Sequence, residues 1–301
     1  MSSVQRIVLN YRLQTPLFKS GIILNFFGTH FALYSKKASI MINGYYDATG
    51  AMVTQFNRLN VISNNLANVN TAGYKQDDII IGDFERLFSE KRDELPLENN
   101  TKEAAKFLNR NLNKVPIVVE EYTDFNIGDM QKTSNPLDIA LREKNQFFAI
   151  QTPSGEKLTR AGNFSLDSEG YLVTKDGYKV LDEQNQPIQF NPSYPITIDK
   201  NGDIFQNKHK VATLKIVRID NLNTLKKVGS SLFDYIPETA TVDSTNSTLQ
   251  GFLEKSNVNP VREMTNLIET NRLVEQYQKV MTTFMDDLNR DAIEKLANVR
   301  A

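Results

Sequence analysis

Few residues in this 301-residue chain stand at spacings that could do chemistry. Asp199-Lys200-Asn201-Gly202-Asp203 opens like a calcium loop, but its glycine is misplaced and no bidentate glutamate follows where one is needed. A plain hairpin turn is the better reading. Lys208-His209-Lys210 could meet a phosphate, but a solvated strand edge is much the better reading. Asp77-Asp78 offers two carboxylates for acid–base work and no visible partner. Asn64, Asn65, Asn68 and Asn70 could act as ligands or catalytic amides, yet asparagine side chains bond to nearby backbone and end helices, so structural capping is preferred. There is no phosphate-cradling glycine loop, zinc spacing or nucleophile elbow. Cysteine is absent, which excludes disulfides, thiolate metal sites and a cysteine nucleophile. With only His30 and His209, a histidine-based centre is hard to build. Neither an enzyme nor a cofactor is expected.

Composition agrees. A formal net charge of −1 argues against nucleic acid as a partner, and 40% hydrophobic content permits a core. Charge is uneven, however. Residues 1–40 carry Arg6, Arg12, Lys19, Lys36 and Lys37 and no acid, a balance of +5 that leaves −6 for the rest. The apolar run Gly21 to Gly28 is too short to span a bilayer, and no convincing cleavage site follows it.

The elements that would position any site fall into four stretches. Over 44–66, Tyr45, Met52, Leu59 and Leu66 recur every seven residues, with Ala48 and Ile62 in the second set and Phe56 widening the stripe. This spacing predicts a helix buried against other helices. The asparagine run and Gly73 end it. Residues 76–125 mix short apolar pieces with charge: Phe84–Phe88 and Ala104–Leu108 read as short helices, and Val115–Val119 as a strand. Residues 126–254 read as β structure, with turn signals at Ser154-Gly155, Glu169-Gly170, Asp176-Gly177 and Asn201-Gly202, and with Phe147–Ile150 and Val211–Val217 as central strands. A closing helix follows over 255–298, capped by Asn259 with Pro260 in its first turn; Leu267, Val274, Tyr277, Met281, Phe284 and Leu288 form its stripe.

Several stretches carry a resemblance. Ser63-Asn64-Asn65-Leu66-Ala67-Asn68 through Thr71-Ala72-Gly73-Tyr74-Lys75 resembles the N-terminal signature of bacterial flagellar rod and hook proteins. Leu253-Glu254-Lys255-Ser256-Asn257-Val258 with Pro260-Val261-Arg262-Glu263-Met264 resembles their C-terminal signature. Asn135–Ala140, Thr159-Arg160-Ala161-Gly162-Asn163-Phe164 and Gly170–Thr174 resemble their central β region. In place of the family's usual glycines, Glu143-Lys144-Asn145-Gln146 precedes the paired aromatics. Met41–Tyr46 resembles the start of a rod protein, so translation is expected to begin at Met41.

The resemblance implies an α+β fold: a coiled-coil-like helical module formed by 41–75 with 255–301, a variable connection over 76–125, and an inserted sandwich- or barrel-like β domain over 126–254. It implies a structural subunit of the basal-body rod, exported by the flagellar type III apparatus. The subunit would polymerise helically with itself and with neighbouring rod and hook subunits into a periplasm-crossing shaft. Tyr45, Met52, Phe56, Leu59, Ile62, Leu66, Leu267, Val274, Tyr277, Met281, Phe284 and Leu288 would then be the assembly stripe. Tyr122–Asp129 resembles the proximal-rod type and Phe84–Phe88 the distal type, and the proximal type is preferred. The rival from another class is a secreted enzyme or carbohydrate-binding β domain with helical arms, which would need a deep pocket of convergent carboxylates.

Overall fold

The computed structural model describes residues 21–83, 116–243 and 245–299; side chains are described from residue 44, apart from 83, 117 and 295–299. The fold class is α+β. Among the described residues there are two long helices, α1 (Gly21–Ala67) and α2 (Pro260–Val299), and the chain between them is mostly β structure. No helix among these residues is long and apolar enough to cross a membrane.

The helix expected over 44–66 is the C-terminal part of α1, which begins further back, at Gly21. The expected start at Met41 falls within this helix, at a residue whose side chain is outside those described. Helix α2 begins as read: the Asn259 side chain accepts from the amides of Val261 (3.1 Å) and Arg262 (3.2 Å), which otherwise lack partners in a first turn. The helices expected around Phe84–Phe88 and Ala104–Leu108 lie outside the described residues. The strand read at Val115–Val119 is Pro116–Thr123, and it pairs with Asp77–Asp83.

The described residues divide into two compact units. One combines Thr54–Gly82 with Val118–Val274; the other contains the parts of α1 up to Val53 and of α2 from Glu275. The first unit is built around a nine-stranded sheet. Its central strand, Gln146–Thr152, pairs antiparallel with Gly155–Thr159 on one edge and with Lys179–Val180 and Ile216–Ile219 on the other. Side chains alternate across a strand, so Phe148 and Ile150 enter one apolar cluster with Leu172, Ile188 and Leu214. Phe147 and Ala149 enter a second with Leu158, Val217 and Phe233. A strand buried on both faces reads as a continuous apolar run, which is why this one was legible.

The other expected central strand is corrected. Residues 211–217 belong to two strands: His209–Thr213 lies in a three-stranded sheet with Ile196–Ile198 and Asp203–Gln206, and Ile216–Ile219 lies in the large sheet. The break falls at Leu214 and Lys215, whose amides donate to the carbonyls of Gly202 and Leu181. The Lys215 ammonium is drawn to Glu156 (2.7 Å) and Asn185 (2.6 Å). The turn signals hold. Gly177 (φ 84°) joins Leu172–Val173 to Lys179–Val180, and Gly202 (φ 78°) joins the strands on either side of it. At Gly155, Gly177 and Gly229 the space a side chain would enter is open. Asn207 and Lys208 both take positive φ, 49° and 67°, as a two-residue hairpin loop requires.

Candidate functional site

The two signature segments converge on one buried carboxylate. Glu254 ends the strand Phe252–Glu254, and its Oε1 accepts from Lys75 Nζ at 2.6 Å and from the Gly128 amide at 3.0 Å. Its Oε2 accepts from Arg160 Nε at 2.5 Å, and its backbone carbonyl accepts from the Gly73 amide at 2.8 Å. The side chains of Lys75 and Arg160 are 0% exposed and that of Glu254 1%. Burial on this scale is tolerable only with full pairing. The second positive charge is met by carbonyl dipoles. Arg160 also donates to the carbonyls of Leu141, Glu143 and Gln146, and Lys75 to that of Asn126 at 2.7 Å. Burial works to raise the Glu254 pKa, but the charges of Arg160 and Lys75 outweigh it and hold the carboxyl below its ordinary range. Burial lowers the pKa of Lys75, and Glu254 only partly offsets this.

Gly73 makes the approach possible. Its φ is 67°, and a Cβ there would lie 2.4 Å from the backbone of Arg160. Next to it, the Tyr74 ring lies beneath the Lys227 ammonium at 3.9 Å, and Lys227 also donates to Lys75 O and Asp77 Oδ2, each at 2.7 Å. Burial and the neighbouring Asp77 push the Tyr74 phenol well up.

A second set of bonds joins the end of α1 to the start of α2. Asn65, fully buried, accepts from Tyr74 OH (3.1 Å) and the Asp77 amide (3.0 Å) and donates to Asp77 O (2.8 Å) and Glu263 Oε2 (3.4 Å). Gln76 donates through its amide to Asn257 Oδ1 (2.8 Å) and through its side chain to Glu263 Oε1 (3.3 Å). Asn257 in turn donates to the carbonyls of Asp124 and Asn126. The arrangement ties distant parts of the chain together. It closes the chain on itself, holding the end of α1 against the start of α2 with polar bonds.

Many of the residues singled out in the sequence meet here: Asn65, Gly73, Tyr74, Lys75, Asn257 and Glu263 through direct bonds, and Val258 as a buried side chain. Asn68 caps as expected, donating to Asn64 O and accepting from Thr71 Oγ1, while Asn65 does not: it is a hub between segments. Ser256 accepts from the Val258 amide at 3.3 Å. Asn64, Ala67 and Asn70 lie at the exposed end of α1, and Pro260 and Met264 on the exposed first turns of α2. Asp77 is tied to Lys227 and Thr123, and Asp203 to Lys210 and Thr213, so neither carboxylate stands free. Arg160 and Glu254, quoted only as parts of motifs, and Lys227 were missed as partners, because 94 residues separate Arg160 from Glu254 and local pattern cannot pair them.

The stripe residues are placed as follows. On α2, Val274 is buried, and Leu267, Tyr277, Met281, Phe284 and Leu288 are half-buried while most of their neighbours are exposed. On α1, Ala48 and Ile62 are buried, Tyr45, Met52, Leu59 and Leu66 are half-buried, and Phe56 is exposed; Ala51, Thr54 and Asn65, off the stripe, are buried as well. Within the second unit the helices touch: a Cβ on Gly44 would lie 2.8 Å from the Phe284 ring, and Thr49 Oγ1 lies 3.9 Å from Met281 Sδ.

Comparison with known proteins assigns the class. Residues 46–75 match the family described as flagella basal body rod protein. Residues 143–206 match the flagellar hook protein FlgE/F/G D1 domain, and 249–294 the flagellar basal body rod FlgEFG protein C-terminal region. These define a chain of the flagellar rod and hook class. The relatives are more particular. A flagellar basal-body rod protein FlgF of Caulobacter vibrioides is 33% identical, spanning 86% of this chain and 100% of its own. A FlgF of Rhizobium meliloti is 31% identical and a FlgG of Bacillus subtilis 28% identical, each over the same shares. The chain belongs to the flagellar basal-body rod protein family.

Proposed function

We propose that this chain is a structural, non-catalytic subunit of a bacterial flagellar basal-body rod, polymerising with further copies and with neighbouring rod and hook subunits through its terminal helices. The observation that carries this reading is the contrast along the helices. The parts of α1 up to Val53 and of α2 from Glu275 meet through a glycine–phenylalanine contact, yet leave Tyr45, Met52, Met281, Phe284 and Leu288 of the stripe only half-buried and their neighbours Tyr46, Val53, Val280 and Met285 exposed. Apolar side chains exposed along helices are what a helical polymer would bury, each fully buried one contributing roughly 1.5–3 kcal/mol. In this reading the two helices form a coiled-coil-like module, the β strands an inserted sandwich- or barrel-like domain, and the assembly stripe is the set from Tyr45 to Leu66 and from Leu267 to Leu288. Export by the flagellar secretion system and a place in a periplasm-spanning shaft complete the proposal. The proximal rod is preferred on the match at Tyr122–Asp129. The test is Phe284→Asp in cells. Loss of motility and of intact basal bodies, with the circular dichroism of the soluble protein unchanged, is expected; normal flagella would end the terminal-helix mechanism.

A further inference from the structure

We propose that Glu254 is a one-sided latch: its carboxylate holds residues 65–77 on the body of the chain, and its loss frees that segment while leaving the β strands in place. The proposal deepens the reading of this chain as a rod subunit, because the end of α1 is then ordered by the C-terminal signature and not by its own sequence. Two observations carry it. First, neither apolar cluster draws a side chain from residues 54–82. That segment's own buried apolar side chains are Ile62, Tyr74 and Ile79; beyond the pairing of Asp77–Asp83 with Pro116–Thr123 and the bonds to Asp124 and Asn126, its polar attachments run to Glu254, Asn257, Glu263 and Lys227.

Second, the two cations on Glu254 are unequally provided for. Arg160 keeps the carbonyls of Leu141, Glu143 and Gln146 if the carboxylate is removed. Lys75 keeps, among the described residues, only that of Asn126. Two buried cations without an anion repel each other, and an ammonium on a flexible four-carbon stem reaches water more easily than a guanidinium held at several points. Lys75 is therefore the one expelled. Its backbone carbonyl leaves Lys227, the Gly73 amide leaves Glu254 O, and the Tyr74–Asn65 bond goes with them.

Amide hydrogen exchange on the purified full chain tests this without reference to rod assembly, so it can fail independently of the proposed function. Glu254→Gln is expected to speed exchange over 65–77 by about tenfold or more, while residues 147–150 and 216–219 keep their protection. The double variant Lys75→Met with Glu254→Gln removes the stranded cation and is expected to return 65–77 to near wild-type protection. Unchanged exchange over 65–77 in Glu254→Gln, or an equal rise across both regions, would overturn the latch. Should Glu254→Gln fail to fold, the double variant decides: restored protection supports the proposal, and a double variant as unstable as the single one sinks it.

Discussion

The junction of the two signature segments at Glu254 and the contact of α1 with α2 at Phe284 use opposite chemistry. Around Glu254 the contact is polar, buried and directional: a carboxylate between a lysine and an arginine, with amide and carbonyl partners for what remains. Around Phe284 it is apolar, with a ring over a glycine and half-exposed neighbours along the same stripe. A buried charge network tolerates very few arrangements, because each misplaced partner leaves a desolvated group. An apolar stripe accepts any partner of suitable shape. The first kind of contact suits closing a chain on itself, and the second suits meeting other chains.

The largest effect is expected at Gly73. Gly73→Ala forces a side chain into left-handed backbone and against the Arg160 main chain, where nothing flexible can yield. A loss of about 3 kcal/mol or more is expected, read as a lower urea midpoint at unchanged slope. A loss below about 1 kcal/mol would mean that the close approach is not maintained in solution.

Acid bears on the same junction. The Glu254 carboxyl is depressed in the folded chain, so its contribution is fully present above the ordinary glutamate range and is lost as pH falls through the folded value. Lys75 is lowered as well, but it is charged in both states at acid pH, so its burial penalty adds no slope there. Stability measured from neutral pH downward should therefore fall more steeply in the wild type than in the Lys75→Met, Glu254→Gln double variant. Equal slopes would locate the acid sensitivity in other carboxylates.

At Phe284 a smaller effect on the monomer is expected. Phe284→Asp should change the unfolding free energy of the isolated protein by about 1 kcal/mol or less, since the ring is only half-buried, even as assembly is lost. A loss comparable to that at Gly73 would mean the apolar contact closes the chain as firmly as the ionic one. Least of all, Lys208→Gly should stabilise slightly, by about 0.5 kcal/mol, because glycine accepts the 67° φ that lysine takes there at a cost.

These regions also differ in how far the sequence disclosed them. The stripe of α2 was readable because Leu267, Val274, Tyr277, Met281, Phe284 and Leu288 repeat locally, and its less exposed side is the one the spacing predicts. Gly73 was readable as a helix stop. What could not be read was that its true constraint is the Arg160 backbone. Lys75 offers the plainest lesson. Nothing in a lysine's neighbours in sequence foretells complete burial, since the anion that permits it lies 179 residues away. Asn65 was assigned to capping by its type, and its cross-segment role emerges only once Asp77 and Glu263 are brought beside it. The strand expected over 211–217 failed for a related reason: the pattern Val211-Ala212-Thr213-Leu214-Lys215-Ile216-Val217 does not reveal that Lys215 is drawn toward Glu156, at the break between two strands.

The glycine hairpin tips have a practical meaning. At Gly155, Gly177 and Gly229 the backbone already takes the positive φ of a tight turn, and no neighbouring atom stands where a side chain would begin. A short epitope or a cysteine for dye coupling grafted there meets solvent, at the modest cost of a side chain on positive-φ backbone, and because the chain has no cysteine of its own, a single introduced thiol would be the only one to react. The molecule thus offers handholds for labelling that touch neither the ionic junction nor the apolar stripe.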